Sequence, residues 1–293
     1  MCASSTTSLP GSAATCCPAA RLPGCTLVEG GVADVEVTRR AMEGIDGCFH
    51  LAAIASVELG MRDWLGTHRV NLGGTIVVLD AARARRIPVV YASSAAVYGK
   101  QAQLPITEAM IPRPLSSYGA DKLGSEQHAR VAGAAHGVPS CGLRFFNVFG
   151  PRQDPRSPYS GVISIFSGRI EAGQPVTVFG DGGQTRDFVH VSSVVAALLA
   201  GMRIVALDAP VFNVCNGRPT SVLDLAHAVG AACEIRPDIQ YGPARKGEIR
   251  DFYGSGMAAQ AAMELDEGMD LEKGLRTVVE WLRAGSPLAA CRS

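Results

Sequence analysis

The segment SSYGADK sets Tyr118 and Lys122 four residues apart. On a helix that spacing puts both side chains on one face, about one turn from each other. A phenol titrating near pH 10 is a poor base at neutral pH. An ammonium one turn away favours the phenolate and draws it toward working pH. Ser93 and Ser94 close the apolar run VVYASS, and Asn147 follows SCGLRFF. A serine hydroxyl at a strand end can bridge the phenol to a substrate hydroxyl. Together these groups could remove a proton from an alcohol while hydride leaves the same carbon. Tyr-x-x-x-Lys alone would equally suit a solvated tyrosine beside a surface lysine. Its company of strand-end Ser and Asn favours the catalytic reading.

Such groups need a frame that brings strand ends and a helix face together. From residue 25 the chain alternates between strand and helix patterns. TLVEG reads as a short strand, and Asp34 as the N-cap of a helix ending near Gly44. GCFHLAA is a continuous apolar run, as expected of a parallel strand buried on both faces. A helical stretch around WLGTHRVNLGGTIVVLDAARARR stops at Pro88, and VVYASS is the next strand. SSYGADKLGSEQHARVAGAAHG is a helix closed by Gly137, and SCGLRFFNVFG a strand with its exit loop. This alternation predicts an α/β, doubly wound parallel sheet, which binds ligands beyond the C-terminal ends of its strands. After residue 150 the texture loosens into an α+β pattern. It comprises a proline-rich loop, a helix at VISIFSGRIEAG, a strand and turn at PVTVFGDGGQT, and helices over 192–203, 221–232 and 271–284, with VFNV a strand between the first two.

Composition narrows the function classes. With 47% hydrophobic and 18% charged residues, the chain is a globular protein near the apolar end of the range. Lys plus Arg and Asp plus Glu both number 27, so no overall field argues for nucleic acid or an anionic membrane. The longest apolar run, VVAALLAGMRIVALDA, is interrupted by Arg203 and is too short to span a bilayer. No basic segment precedes an apolar core at the N-terminus, so the cytoplasm is the expected location. The nine cysteines form no C-x-x-C pair and stand in no metal-ligand spacing with histidine; free thiols are expected, and no metal.

HLAA (50–53), Asn71 in NLGGT, YASSAAVYG (91–99), YGADK (118–122), LRFFNVFGPRQDP (143–155), GDGGQTRDFVHV (180–191) and RKGEIR (245–250) follow one another in that order. Together they resemble the extended short-chain dehydrogenase/reductases, and among these the NAD-dependent nucleotide-sugar epimerases of the UDP-glucose 4-epimerase type. The resemblance runs from about residue 25 to 284. It implies a Rossmann-like NAD-binding domain over 25–150 and a nucleotide-sugar-binding region over 151–293. Tyr118 would be the catalytic base and acid, and Ser94 would bridge to the sugar 4-hydroxyl. Lys122 would bind the nicotinamide ribose and depress the tyrosine pKa. Ala52 and Ala53 would approach NAD through their backbone, with Asn71, Ser93 and Phe145 positioning it. Asn147, Arg186 and Arg250 would hold the nucleotide diphosphate of a UDP-sugar, with Arg245 a weaker candidate. A homodimer formed through helices is common in the resembling family. The family's 4,6-dehydratases carry an Asp-Glu pair after the strand-end hydroxyl, where this chain has Ala95 and Ala96. A 4-epimerase therefore fits better than a dehydratase or decarboxylase. A non-catalytic nucleotide-sugar binder is the alternative from another class.

Two departures from the resembling family stand out. It opens with a strand, a G-x-x-G-x-x-G turn and a helix whose N-terminus receives the NAD pyrophosphate. Residues 2–24 contain no Val, Ile, Phe, Tyr or Trp and no such turn, so 1–24 is expected to be a disordered, unrelated segment. A displaced start, a shifted reading frame or a cofactor-free descendant would each produce this. The second departure is Gly31, where the family usually has an Asp contacting adenine.

Overall fold

The computed structural model describes residues 24–155, 160–245 and 247–285. The expectations attached to 1–23, namely disorder and the missing glycine turn, lie outside the described residues. Asp34 caps helix α1 (Val35–Ala41), its carboxylate accepting from the backbone N–H groups of Glu36 and Val37. TLVEG is not a strand: residues 25–29 are irregular and pair with nothing among the described residues. A strand exists only through a neighbour's ladder, which no local sequence pattern can report.

Next come β1 (Cys48–His50), α2 (Val57–Arg62), α3 (Trp64–His68), a π-helical turn (Arg69–Gly73) and α4 (Gly74–Arg83). Strand β2 (Val89–Ser94) runs into a 3₁₀ turn (Ala95–Tyr98), followed by α5 (Ser117–His136), β3 (Ser140–Phe145) and β4 (Asn147–Phe149). Helix α5 ends where expected, on Gly137 in the left-handed conformation at φ 68°, which glycine adopts without penalty. The remaining elements are α6 (Val162–Glu171), β5 (Val176–Phe179), β6 (Thr185–His190), α7 (Val191–Arg203), β7 (Val211–Val214) and β8 (Pro219–Ser221). They continue with α8 (Val222–Cys233), β9 (Ile239–Gly242), β10 (Asp251–Phe252), α9 (Met257–Met263) and α10 (Leu271–Arg283).

The main sheet is parallel throughout, in the order β1-β2-β3-β7. Its fourth strand, β7, comes from the second half of the chain, which crosses back to pair Val211–Val214 with Gly142–Phe145. Alternate residues of β2 enter different cores. Val89 and Tyr91 pack with Val78, Leu79, Ala129 and Ala132 beneath α4 and α5. Val90 packs with Leu143, Val194, Ala197 and Leu198 beneath α7. Both faces are covered, which accounts for the uninterrupted apolar strands. A second layer joins β10, β6 and β4, with β8 antiparallel to β6, beside the parallel pair β5–β9. Phe166, Ile170, Val178, Leu225 and Leu275 fill its core. Cys25, Cys48, Cys141, Cys215 and Cys233 are free thiols. No helix among the described residues is long and apolar enough to cross a membrane.

Candidate active site

A cleft of about 920 Å³ opens at the C-terminal ends of β2 and β3, between the main sheet and the second layer. That volume lies within the range of small-molecule sites. Ala53, Ser93, Ser94, Tyr118, Lys122, Phe145, Asn147, Arg186 and Arg245 line it.

Tyr118 lies in the first turn of α5, which Ser116 caps by accepting from the Gly119 N–H at 3.1 Å. The helix start can approach the 3₁₀ turn only because residue 119 lacks a side chain. A Cβ there would fall 2.6 Å from the Ala96 carbonyl oxygen. This contact sets Tyr118 beside Ser94, whose hydroxyl counteracts part of the burial effect on the phenol. Ser94 Oγ also accepts from the Ala96 N–H at 3.1 Å and caps the 3₁₀ turn. Burial raises the Tyr118 pKa, and the Ser94 hydroxyl works against that rise.

Lys122 is only 2% exposed and its Nζ donates to the Ala92 carbonyl at 2.7 Å, 5.8 Å from the Tyr118 ring centre. Burial lowers its pKa to about 8, while the neighbouring Asp121 carboxylate pulls upward. Burial dominates Tyr118, and the lysine's own charge is disfavoured by the same low-dielectric surroundings. The lowered lysine pKa carries a stability consequence. Between about 8 and 10.5 the unfolded chain holds a proton that the folded chain has released, so stability rises with pH across that window. The urea midpoint of the chain is expected to rise relative to that of Lys122→Met as pH increases through it, because the variant has no such proton to release.

Asn71 and the two alanines are brought together, but not as three direct contacts to the cleft. Asn71 is buried in the π-helical turn, an insertion often found at functional positions. Its Oδ1 accepts from the Ile54 N–H at 2.7 Å and its Nδ2 donates to the Ile54 carbonyl at 3.3 Å. It thus pins the loop after β1, where Ala53 faces the cleft and Ala52 packs into the core under α4. Ser93 Oγ donates inward to Glu126 Oε1 at 2.5 Å, so its hydroxyl is committed to a protein partner.

The arginines divide differently from the sequence expectation. Arg186 on β6 reaches the cleft, its Nη2 donating to Glu248 Oε1 at 3.0 Å. Arg245 lies over the Phe179 ring, its guanidinium carbon 4.2 Å from the ring centre. Arg250 does not line the cleft. Both of its terminal nitrogens donate to the Asp181 carboxylate, at 2.9 and 2.8 Å, which turns its guanidinium toward the exposed Asp181 loop. Lys122, Arg169, Arg186 and Arg245 face the cleft, with Glu248 the one carboxylate among the described residues that line it, an excess of cations suited to a diphosphate. Arg245→Ala and Arg186→Ala are each expected to weaken UDP binding by about 1.5–3 kcal/mol, the scale of hydrogen bonds to charged groups. Arg250→Ala is expected to leave calorimetric affinity unchanged.

Sequence reasoning missed Glu126 and Arg144, which pair within the interior through Nε–Oε1 at 2.9 Å and Nη2–Oε2 at 2.7 Å. Burial works against the Arg144 charge, but Glu126 outweighs it and holds the guanidinium pKa above its ordinary value. The available signal was an arginine inside an otherwise apolar strand, which demands a buried partner. The nicotinamide half of NAD is compatible with these surroundings. Lys122 is a buried three-donor ammonium making one hydrogen bond among the described residues, which leaves donors for a ribose diol.

Residues 6–215 match the sequence model of the NAD dependent epimerase/dehydratase family. The match begins at residue 6, within the segment 1–24 expected to be unrelated. The UDP-glucose 4-epimerase of Mycolicibacterium smegmatis is 32% identical over 80% of this chain and 75% of its own. Among solved structures, the UDP-glucose 4-epimerase of Thermotoga maritima with UDP-glucose superposes with a TM-score of 0.84 at 31% identity, over 89% of this chain and 85% of that one. The Thermus thermophilus UDP-glucose 4-epimerase complex with NAD gives 0.81 at 30% identity, over 90% and 86%. With the fold, the cleft and these relatives in agreement, the chain belongs to the NAD-dependent epimerase/dehydratase family of the extended short-chain dehydrogenase/reductases.

Proposed function

We propose that the chain is a nucleotide-sugar 4-epimerase acting on a UDP-sugar of the glucose/galactose type. The observation that carries this reading is the sharing of one cleft by the Ser94–Tyr118 hydroxyl pair, Lys122 and the cationic pair Arg186 and Arg245. Arg186 and Arg245 hold the diphosphate, and Asn147 at the start of β4 supports it. The sugar is thereby directed toward the strand ends. Ser94 bridges the Tyr118 phenol to the sugar hydroxyl, and Tyr118 takes that hydroxyl's proton and later returns it. Lys122 and the loop carrying Ala53, pinned by Asn71, hold the nicotinamide ribose, with Phe145 at the side. NAD bound there would supply the hydride acceptor and donor for the sugar carbon.

Ala95 and Ala96 favour epimerisation over elimination, because methyl groups cannot exchange protons. Conversion of UDP-galactose to UDP-glucose by the purified chain tests the reading. UDP binding without any interconversion would contradict it. A binder without NAD is the second reading, favoured by Gly31, where a Cβ would meet nothing within 4 Å and the family's adenine-contacting carboxylate has no counterpart. Measuring NAD released on denaturation separates the two. The reading includes a homodimer, supported by exposed Met61, Trp64 and Leu65 on neighbouring short helices. A monomeric sedimentation mass would remove that part alone.

A further inference from the structure

Glu126 lies on α5 one turn beyond Lys122 and is 5% exposed. Its carboxylate accepts from Ser93 Oγ on β2 and from Arg144 Nε and Nη2 on β3. The third arm of Arg144, Nη1, donates to the Tyr98 hydroxyl at 2.7 Å, and that hydroxyl donates to Asn213 Oδ1 on β7 at 2.7 Å. Asn213 completes the chain by donating from Nδ2 to the Ile106 carbonyl at 3.1 Å. The network therefore ties α5 to β2, the 3₁₀ turn, β3 and β7 at one level of the fold.

Three members sit beside residues of the site. Ser93 lies between Ala92, whose carbonyl receives Lys122, and Ser94. Arg144 precedes Phe145, and Tyr98 ends the turn that Ser94 caps. Glu126, Arg144 and Tyr98 do not line the cleft. A buried ion pair is a poor source of stability, because desolvation cancels much of its attraction. Its fork geometry, in contrast, fixes distance and orientation closely.

We propose that the Glu126–Arg144 pair is a positioning device, holding α5 at the distance from the strand ends that keeps Tyr118 and Lys122 in register with Ser94. The proposal rests on the epimerase reading above. It acts through geometry and touches neither substrate nor cofactor. A misplacement of about 1 Å in a catalytic group can cost on the order of a hundredfold in rate.

The test uses the full chain carrying Glu126→Leu together with Arg144→Met, which leaves no unpaired charge in the interior. Turnover is normalised to UDP-binding sites counted by calorimetry, so that loss of folded protein does not register. The expected result is a fall of about 10–100-fold in kcat per site, with KM and UDP affinity within about threefold of the parent. Crystals of the variant are expected to show Tyr118 drawn away from Ser94 by a shift of α5. An unchanged kcat per site would overturn the proposal. If the double variant does not fold, Glu126→Gln, which removes the counter-charge and leaves the shape of the interior nearly intact, is read by the same criteria. A parent without turnover would overturn the epimerase reading instead. The crystallographic comparison would then decide, and α5 unmoved in the variant would sink the positioning role.

Discussion

Tyr118→Phe is expected to lower turnover by about 10²–10⁴-fold while leaving UDP affinity within a few fold, the usual loss for a positioned acid–base group. The substitution removes the only atom of the residue that can carry the proton. It keeps the ring, and with it the packing against the start of α5. UDP is expected to bind through Arg186 and Arg245 on the other side of the cleft, so its affinity has no reason to follow. Ser94 retains the Ala96 N–H as a donor to its oxygen, so the 3₁₀ turn keeps its cap. Steady-state rates with UDP-galactose, set against calorimetric UDP binding on the same preparation, check both halves. Activity within threefold of the parent would remove Tyr118 from the mechanism.

The second large effect is on stability. Glu126→Ala alone is expected to reduce the unfolding free energy by about 3–5 kcal/mol, because Arg144 would stay buried without its counter-charge. Its Nη1 would keep Tyr98, but Nε and Nη2 would lose their acceptors. Against a typical total of about 5–15 kcal/mol, this brings the fold near its limit at ordinary temperature. Adding Arg144→Met is expected to restore most of the loss, since no isolated charge then remains inside. Urea denaturation of the two variants measures the difference. Equal midpoints would show that water or a rearranged partner satisfies the arginine.

Much of this organisation is legible in the sequence where local physics decides it. Asp34 at a helix start and Gly137 at a helix end mark termini that depend only on nearby backbone groups. VVYASS and SCGLRF are strands because both faces must be apolar, and the Tyr118–Lys122 spacing is set by helix geometry. What escaped depends on partners distant in sequence. TLVEG has strand-like residues but finds no ladder among the described residues. Strand β6 reads TRDFVH, whose polar first half hides a strand that pairs with β4, β8 and β10. Arg250 and Arg245 lie in one short segment with the same chemistry. Only the positions of Asp181 and Phe179 determine which of them reaches the cleft. The same holds for Ser93, whose inward hydroxyl follows from Glu126 two turns along α5.

The measurement that bears most directly on the central claim is proton NMR of UDP-galactose incubated with the purified chain in deuterated water. UDP-glucose is expected to accumulate with hydrogen retained at carbon 4, because bound NAD would return the same hydride to that carbon and Tyr118 would handle only the hydroxyl proton. Deuterium appearing at that carbon, or a sugar left unconverted by a chain that binds both UDP and NAD, would contradict it.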